Sequence, residues 1–272
     1  MAVAETLSDA VRIVGVRFLN ARPLLAGLEA RLPASFPYCF STAEPAECAE
    51  QLRSGQAAAS LVPVAALPFL LDVRALPTLG VAARKEVRSV LLISRVPLER
   101  IHTLAAHTAS RSSVALARLL LGERWGARPR VVALRPPLEA MLAEADAAIL
   151  IGDPALHVQG RSGHLEVDLA AAWVEWTGLP FVFAVWGARP GTPAGLEGLL
   201  EASLTYAGER WQDLVPRWAE AHGVEREETR HYLEEILTYR LGDAEREGLQ
   251  EFLGRAAKAG VLPARREVWR AA

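Results

Sequence analysis

This chain has little cysteine, no long apolar run and no surplus of charge, and each shortage removes a class of protein. Cys39 and Cys48 are the only cysteines in 272 residues. Their spacing matches no C-x-x-C pattern, so two reduced thiols are expected rather than a disulfide framework. The formal net charge is −2 at pH 7, which provides no global attraction to nucleic acid or anionic lipid; any anion recognition has to be local. The longest uncharged stretch, Ser54 to Leu71, is interrupted by Pro63 and Pro68, and its continuous apolar part is too short to span a bilayer. The start of the chain carries Glu5 and Asp9 and no basic segment ahead of a long apolar core, so no secretion signal is expected.

Motifs are missing too. The sequence contains no GxGxxG, no P-loop and no GxSxG, the usual marks of dinucleotide, nucleoside-triphosphate and serine-hydrolase sites. His102, His107, His157, His164, His222 and His231 pair with no cysteine or carboxylate at a ligand spacing, so no metal site and no cofactor is expected.

What is present alternates. Short β-branched runs at Val11–Val16, Ala57–Val62, Ser89–Ser94, Leu104–His107, Val131–Leu134 and Ala147–Ile151 predict buried strands. Between them lie helical patterns at Leu24–Leu28, Ala46–Ser54, Val114–Leu121 and Leu138–Glu144. Pro23 suits a first helical turn, where its missing N–H costs nothing. Strands alternating with helices predict an α/β fold with mixed or parallel sheets. After Trp186 the pattern changes to amphipathic helices over Leu196–Tyr206, Glu209–Ala221, Glu225–Arg240 and Asp243–Ala259, a helical C-terminal region without strands. The apolar runs Val90–Ile93 and Phe181–Trp186 bracket a complete α/β segment. A chain that leaves one lobe, builds a second and returns makes two crossings, which form a hinge over a cleft. The expected division is residues 1–88 with 187–272 for the first lobe and 89–186 for the second.

Three places offer polar chemistry. Thr108, Ser110, Ser112 and Ser113 precede or open a helix, where hydroxyls, free N–H groups and the helix dipole suit a carboxylate; ordinary N-capping needs only one of them. Asn20 ends the first strand and Asp153 follows another, and ligands of open α/β sheets bind beyond the carboxyl ends of strands. Either residue also suits a helix start. Arg22 and Arg111 are cations able to neutralise an acidic ligand.

In order and spacing, several segments resemble one family. These are FLNARPL at Phe18–Leu24, RSVLLIS at Arg88–Ser94, HTASRSSVAL at His107–Leu116, ILIGDPAL at Ile149–Leu156 and WTGLPFVFAVW at Trp176–Trp186. Together they resemble the chorismate dehydratases of menaquinone biosynthesis by the futalosine route, from Val11 to about Leu241. The resemblance implies a fold like type II periplasmic binding proteins. It also implies a hydro-lyase activity that converts chorismate to 3-[(1-carboxyvinyl)oxy]benzoate. It further implies a cytoplasmic protein whose partner is this small dicarboxylate rather than nucleic acid or membrane, with a homodimer left open. Asn20 would act at the reacting centre, as an anchor rather than a base because an amide accepts no proton near neutral pH. Ser89, Thr108, Ser110, Ser112, Ser113 and Asp153 would bind substrate. Two departures stand out. Pro63-Val64-Ala65-Ala66-Leu67 replaces a stretch in which relatives often carry Ser and Glu, and His107-Thr108 stands where Thr and Ser are more usual. A binding protein for a small carboxylate, with the same fold and no turnover, is the alternative that the first departure favours. A related synthase of the pathway shares the fold, but its Ser-Pro-Cys-Pro-Asn-Asp-type start is absent. A helical interaction protein would leave the first 190 or so residues unexplained.

Overall fold

The computed structural model describes residues 10–107 and 111–264. Its elements run β1 (Val11–Val16), α1 (Arg22–Glu29), β2 (Tyr38–Ala43), α2 (Pro45–Arg53), β3 (Ala59–Pro63) and β4 (Arg74–Ala83). They continue with β5 (Val90–Ser94), β6 (Thr103–Ala106), α3 (Arg111–Arg124), β7 (Arg130–Ala133), α4 (Leu138–Glu144), β8 (Ala147–Ile151), α5 (Asp153–Val158), β9 (Leu165–Asp168) and α6 (Leu169–Thr177). The chain then passes through β10 (Phe181–Ala188), α7 (Leu196–Glu209), α8 (Trp211–His222), α9 (Arg226–His231), β11 (Leu237–Arg240) and α10 (Asp243–Lys258).

Two mixed sheets define two lobes. The first has the order β11-β4-β10-β3-β1-β2 and the second β7-β6-β8-β5-β9. In the first, β1 runs parallel to β2 and β3, and β10 runs antiparallel to β3 and β4. In the second, β6 runs parallel to β7 and β8, while β5 is antiparallel to β8 and β9. Every residue of β5 and β8 is buried, because helices or the other lobe cover both faces of their sheet. Leu91 and Ile93 join Met141 and Leu142 in an outer cluster, while Val90 and Leu92 face the main core. Alternation along one strand thus feeds two layers.

Two expectations need correction. Phe181–Trp186 does not close the second lobe: β10 lies centrally in the six-stranded sheet, with Ala184 opposite Pro63 and Trp186 opposite Leu61. A run buried on both faces marks a central strand, but the run itself does not say of which sheet. The C-terminal region is not wholly helical. The expected helix over Glu225–Arg240 ends in a π-helical turn at Tyr232–Ile236, and β11 then pairs with the edge of β4. Four further elements, β2, β4, β9 and α6, carry no clear pattern in the sequence. Strand β4 contains Pro77, which breaks a strand reading, yet β11 pairs only with Leu79–Ala83 and leaves residue 77 beyond its end.

Both crossings are pinned. Asp168 caps α6 by accepting from the N–H groups of Ala170 and Ala171, and its carboxylate also takes those of Val87 and Arg88, the latter at 2.6 Å. Burial pushes the Asp168 carboxyl upward against the lowering effect of these donors. Arg88 is held in the left-handed region at φ 62°, a conformation that costs a non-glycine residue about 1 kcal/mol or more. The returning crossing rests on an aromatic cluster. Phe181 lies 5.7 Å from Trp173 and 4.9 Å from Phe252, all near edge-on, so α6, β10 and α10 meet at one point.

Candidate active site

The cleft lies where the two sheets face each other. Strand β1 leads into a 3-10 turn at Leu19–Ala21, and Pro23 then starts α1. Asn20 sits in that turn and lines the cleft. It is not a helix cap: α1 is entered from Ala21 with no side-chain capping bond. From the second lobe come Ser112 and Ser113 at the start of α3, Arg111 beside them, and Ile151 and Gly152 at the end of β8. Val16, Leu61, Pro63, Val81, Val90 and Phe183 complete a mostly apolar wall. A wider chamber continues outward past Phe18 and Ile151, lined by Arg17, Arg22, Glu44, His107, Asp153 and His222.

The lobes touch across this cleft. Gly152 has φ 63° and ψ −144°, a conformation open essentially to glycine alone. A Cβ there would stand 2.8 Å from the Phe18 ring. The missing side chain therefore lets Phe18 of one lobe rest on the other. Ser112 makes a second bridge: its hydroxyl donates to the Phe183 carbonyl at 3.0 Å and accepts from the Ala65 N–H at 3.3 Å.

The predicted site residues separate accordingly. Asn20, Ser112 and Ser113 come together at the cleft, but Ser112 has committed its one proton to the β10 backbone, so its expected role as a substrate donor gives way to a structural one. Ser89 is fully buried behind the wall, and its Oγ accepts a 2.6 Å hydrogen bond from the Tyr232 hydroxyl. The Asn20 amide lies near the same hydroxyl and favours its ionised form, against the stronger effect of burial. Burial drives the Tyr232 hydroxyl well above the ordinary tyrosine range, so it remains a proton donor at neutral pH. Asp153 does not reach the inner cleft; it takes the Leu19 N–H at 3.1 Å and faces His222 at 2.6 Å in the outer chamber. Thr108 and Ser110 lie outside the described residues. Sequence reasoning missed Tyr232, which reads there as one apolar position of an amphipathic helix, and left Arg111 without a place. Among the described residues, Arg111 is the one cation of the inner lining. The apolar stretch Pro63–Leu67 forms part of the wall and packs under α3.

The family model for menaquinone biosynthesis matches residues 11–258. The chain belongs to that family. A chorismate dehydratase of Thermus thermophilus is 35% identical over 233 residues, covering 77% of this chain and 83% of that protein. One from Campylobacter jejuni is 26% identical over 181 residues, 66% of this chain and 67% of its own. Solved structures extend the likeness to the fold. A protein from Archaeoglobus fulgidus superposes with a TM-score of 0.77 at 16% identity, over 93% of this chain and 98% of its own. The alkanesulfonate-binding protein of Xanthomonas axonopodis, bound to MOPS, gives a TM-score of 0.67 at 16% identity, over 94% and 95%. At such identities these two speak for the bilobed architecture alone. The two-lobed α/β fold expected from the sequence, with its two crossings, is the fold observed. Among the described residues, no helix is long and apolar enough to cross a membrane.

Proposed function

We propose that this protein is a chorismate dehydratase, a hydro-lyase that converts chorismate to 3-[(1-carboxyvinyl)oxy]benzoate in the cytoplasm. The observation that carries the reading is the cleft itself: an apolar slot for a ring, Asn20 at its end, and Arg111 with Ser113 on the facing lobe. Membership of the menaquinone biosynthesis family and the named relatives support it. Free Cys39 and buried free Cys48 suit a reducing compartment. Burial pushes the Cys48 thiol up to about 12, so it is inert as a nucleophile.

Dehydration breaks one ring C–H and one ring C–O bond. The C–H electron pair completes the aromatic ring, and the proton and hydroxide leave as water. Arg111 and Ser113 would hold a carboxylate, and the apolar wall would hold the ring with little competing water. Asn20 would hold the departing hydroxyl or the enolpyruvyl group in the reactive geometry. Among the described residues, the inner lining includes no carboxylate and no histidine, and Tyr232 is held protonated. The proton acceptor in this reading is therefore a carboxylate of the substrate. The test is direct: purified protein with chorismate should yield the aromatic product, seen by absorbance and mass. Binding without product would favour the second reading, a carboxylate-binding protein of the same fold, which the apolar stretch Pro63–Leu67 supports.

A further inference from the structure

A continuous hydrogen-bonded line runs across the mouth of the cleft. Glu29 accepts from Arg22 Nη1 at 2.7 Å, and Arg22 Nε donates to His222 Nε2 at 2.9 Å. His222 Nδ1 lies 2.6 Å from one Asp153 oxygen, and the other accepts the Leu19 N–H at 3.1 Å. One proton arrangement satisfies this line. A guanidinium only donates, so His222 Nε2 accepts, and the neutral ring then carries its proton on Nδ1 and donates to the carboxylate. Arg22 and Leu19 belong to the first lobe, His222 ends α8, and Asp153 opens α5 of the second lobe. One turn further along α5, His157 Nε2 meets the Gly223 carbonyl at 3.2 Å, so α5 touches the end of α8 twice. The His222 side chain is only 6% exposed and Asp153 20%, which keeps competing water largely away from their contact.

We propose that Arg22, His222 and Asp153 form a latch. It holds the second lobe closed on the first and, through the Leu19 N–H, fixes the turn that presents Asn20. None of the three lines the inner cleft, so these are positioning residues. The latch also explains why Asp153 stands where a substrate ligand was expected: its carboxylate is already committed to closure.

Two substitutions of His222 separate the roles open to it. Glutamine carries one acceptor and one donor on the same amide and can keep both bonds; leucine fills the space and keeps neither. In His222→Leu, small-angle scattering should give a larger radius of gyration than wild type. Its KM for chorismate should rise on the order of tenfold or more, because only the latched fraction binds. His222→Gln should stay close to wild type in both. Asp153→Asn, which leaves one acceptor for the two donors His222 Nδ1–H and Leu19 N–H, should follow the leucine variant, and it decides between latch and no latch if the leucine variant fails to fold. Wild-type scattering and KM in His222→Leu would overturn the latch. So would His222→Gln with lost turnover but unchanged KM and radius, since that result assigns the ring a proton-transfer role. The kinetic half rests on the dehydratase reading. If wild-type protein leaves chorismate unchanged, that reading fails, while scattering still judges the latch.

Discussion

Replacing Asn20 by aspartate changes charge at the cleft while keeping shape, and the structure says what should follow. Asn20 caps no helix, so the roughly 1 kcal/mol at stake in a cap is not involved. Its amide lies near the Tyr232 hydroxyl, which donates to Ser89. A carboxylate in its place accepts but cannot donate, so it draws the tyrosine proton away from Ser89. It also faces a dianionic substrate. Two unit charges about 4 Å apart repel by about 4 kcal/mol at an effective dielectric near 20. Proton uptake sets a similar ceiling: lifting a carboxyl pKa from about 3.9 to neutrality costs roughly 4 kcal/mol. Even after partial relief, turnover should fall at least about a hundredfold, which is roughly 2.7 kcal/mol. The assay is the rate of aromatic product formation from chorismate, with thermal unfolding followed in parallel. Asn20→Ala, which removes the amide without adding charge, should lose less. Wild-type turnover in a folded Asn20→Asp protein would place Asn20 outside the chemistry and refute the mechanism.

Other consequences can be checked with the same tools. Ser113→Ala should weaken chorismate binding by about 1.5–3 kcal/mol if its hydroxyl meets a carboxylate; a lowered melting temperature with unchanged affinity would make it structural. Gly152→Ala puts a Cβ 2.8 Å from the Phe18 ring at a φ of 63°. It should cost about 1–3 kcal/mol in backbone strain and raise KM as the lobes are forced apart; unaltered KM would show that the Phe18 contact does not control closure. His107 is held below the ordinary histidine range, chiefly by burial, against the raising effect of Glu44. The unfolded chain therefore takes up this proton first, so stability is fully present above about pH 6.5 and falls as pH drops through the lower folded value. His107→Gln should lose less stability than wild type between neutral pH and about pH 5, as measured by denaturant titration; parallel losses would refute the shift.

How far the sequence could be read depended on whether an element's partner is local. Strands β5 and β8 announce themselves because burial on both faces leaves an unbroken apolar run, β1 does so from Ile13 onward, and α4 matches its expected limits, Leu138–Glu144. Strand β2 is half exposed at a sheet edge, so it carries no such run. Strand β11 is four residues long and follows a helix directly, so helical periodicity reads through it. Sheet membership was harder still. Nothing in Phe181–Ala188 says that its neighbours are β3 and β4, because pairing is a property of residues about a hundred or more positions away.

The site shows the same division at the level of single groups. A cluster of hydroxyls before a helix points to an anion, and Ser112 and Ser113 do reach the cleft. Which hydroxyl is free depends on a carbonyl 71 positions on, the one that takes the Ser112 proton. Tyr232 is brought to Ser89 across 143 positions, and His222 to Asp153 across 69. In sequence each is one polar atom on an amphipathic helix, a place where packing accounts for the residue without any chemistry. What distinguishes them is polar satisfaction in a buried setting: a hydroxyl or imidazole enclosed by two lobes has to find partners there or cost the fold its desolvation. Asn20 shows both limits at once. Its place at the end of β1 was legible from the strand. Its freedom from capping duty, and the buried Tyr232 hydroxyl near it, follow only from how α9 and the turn after it return over the first crossing.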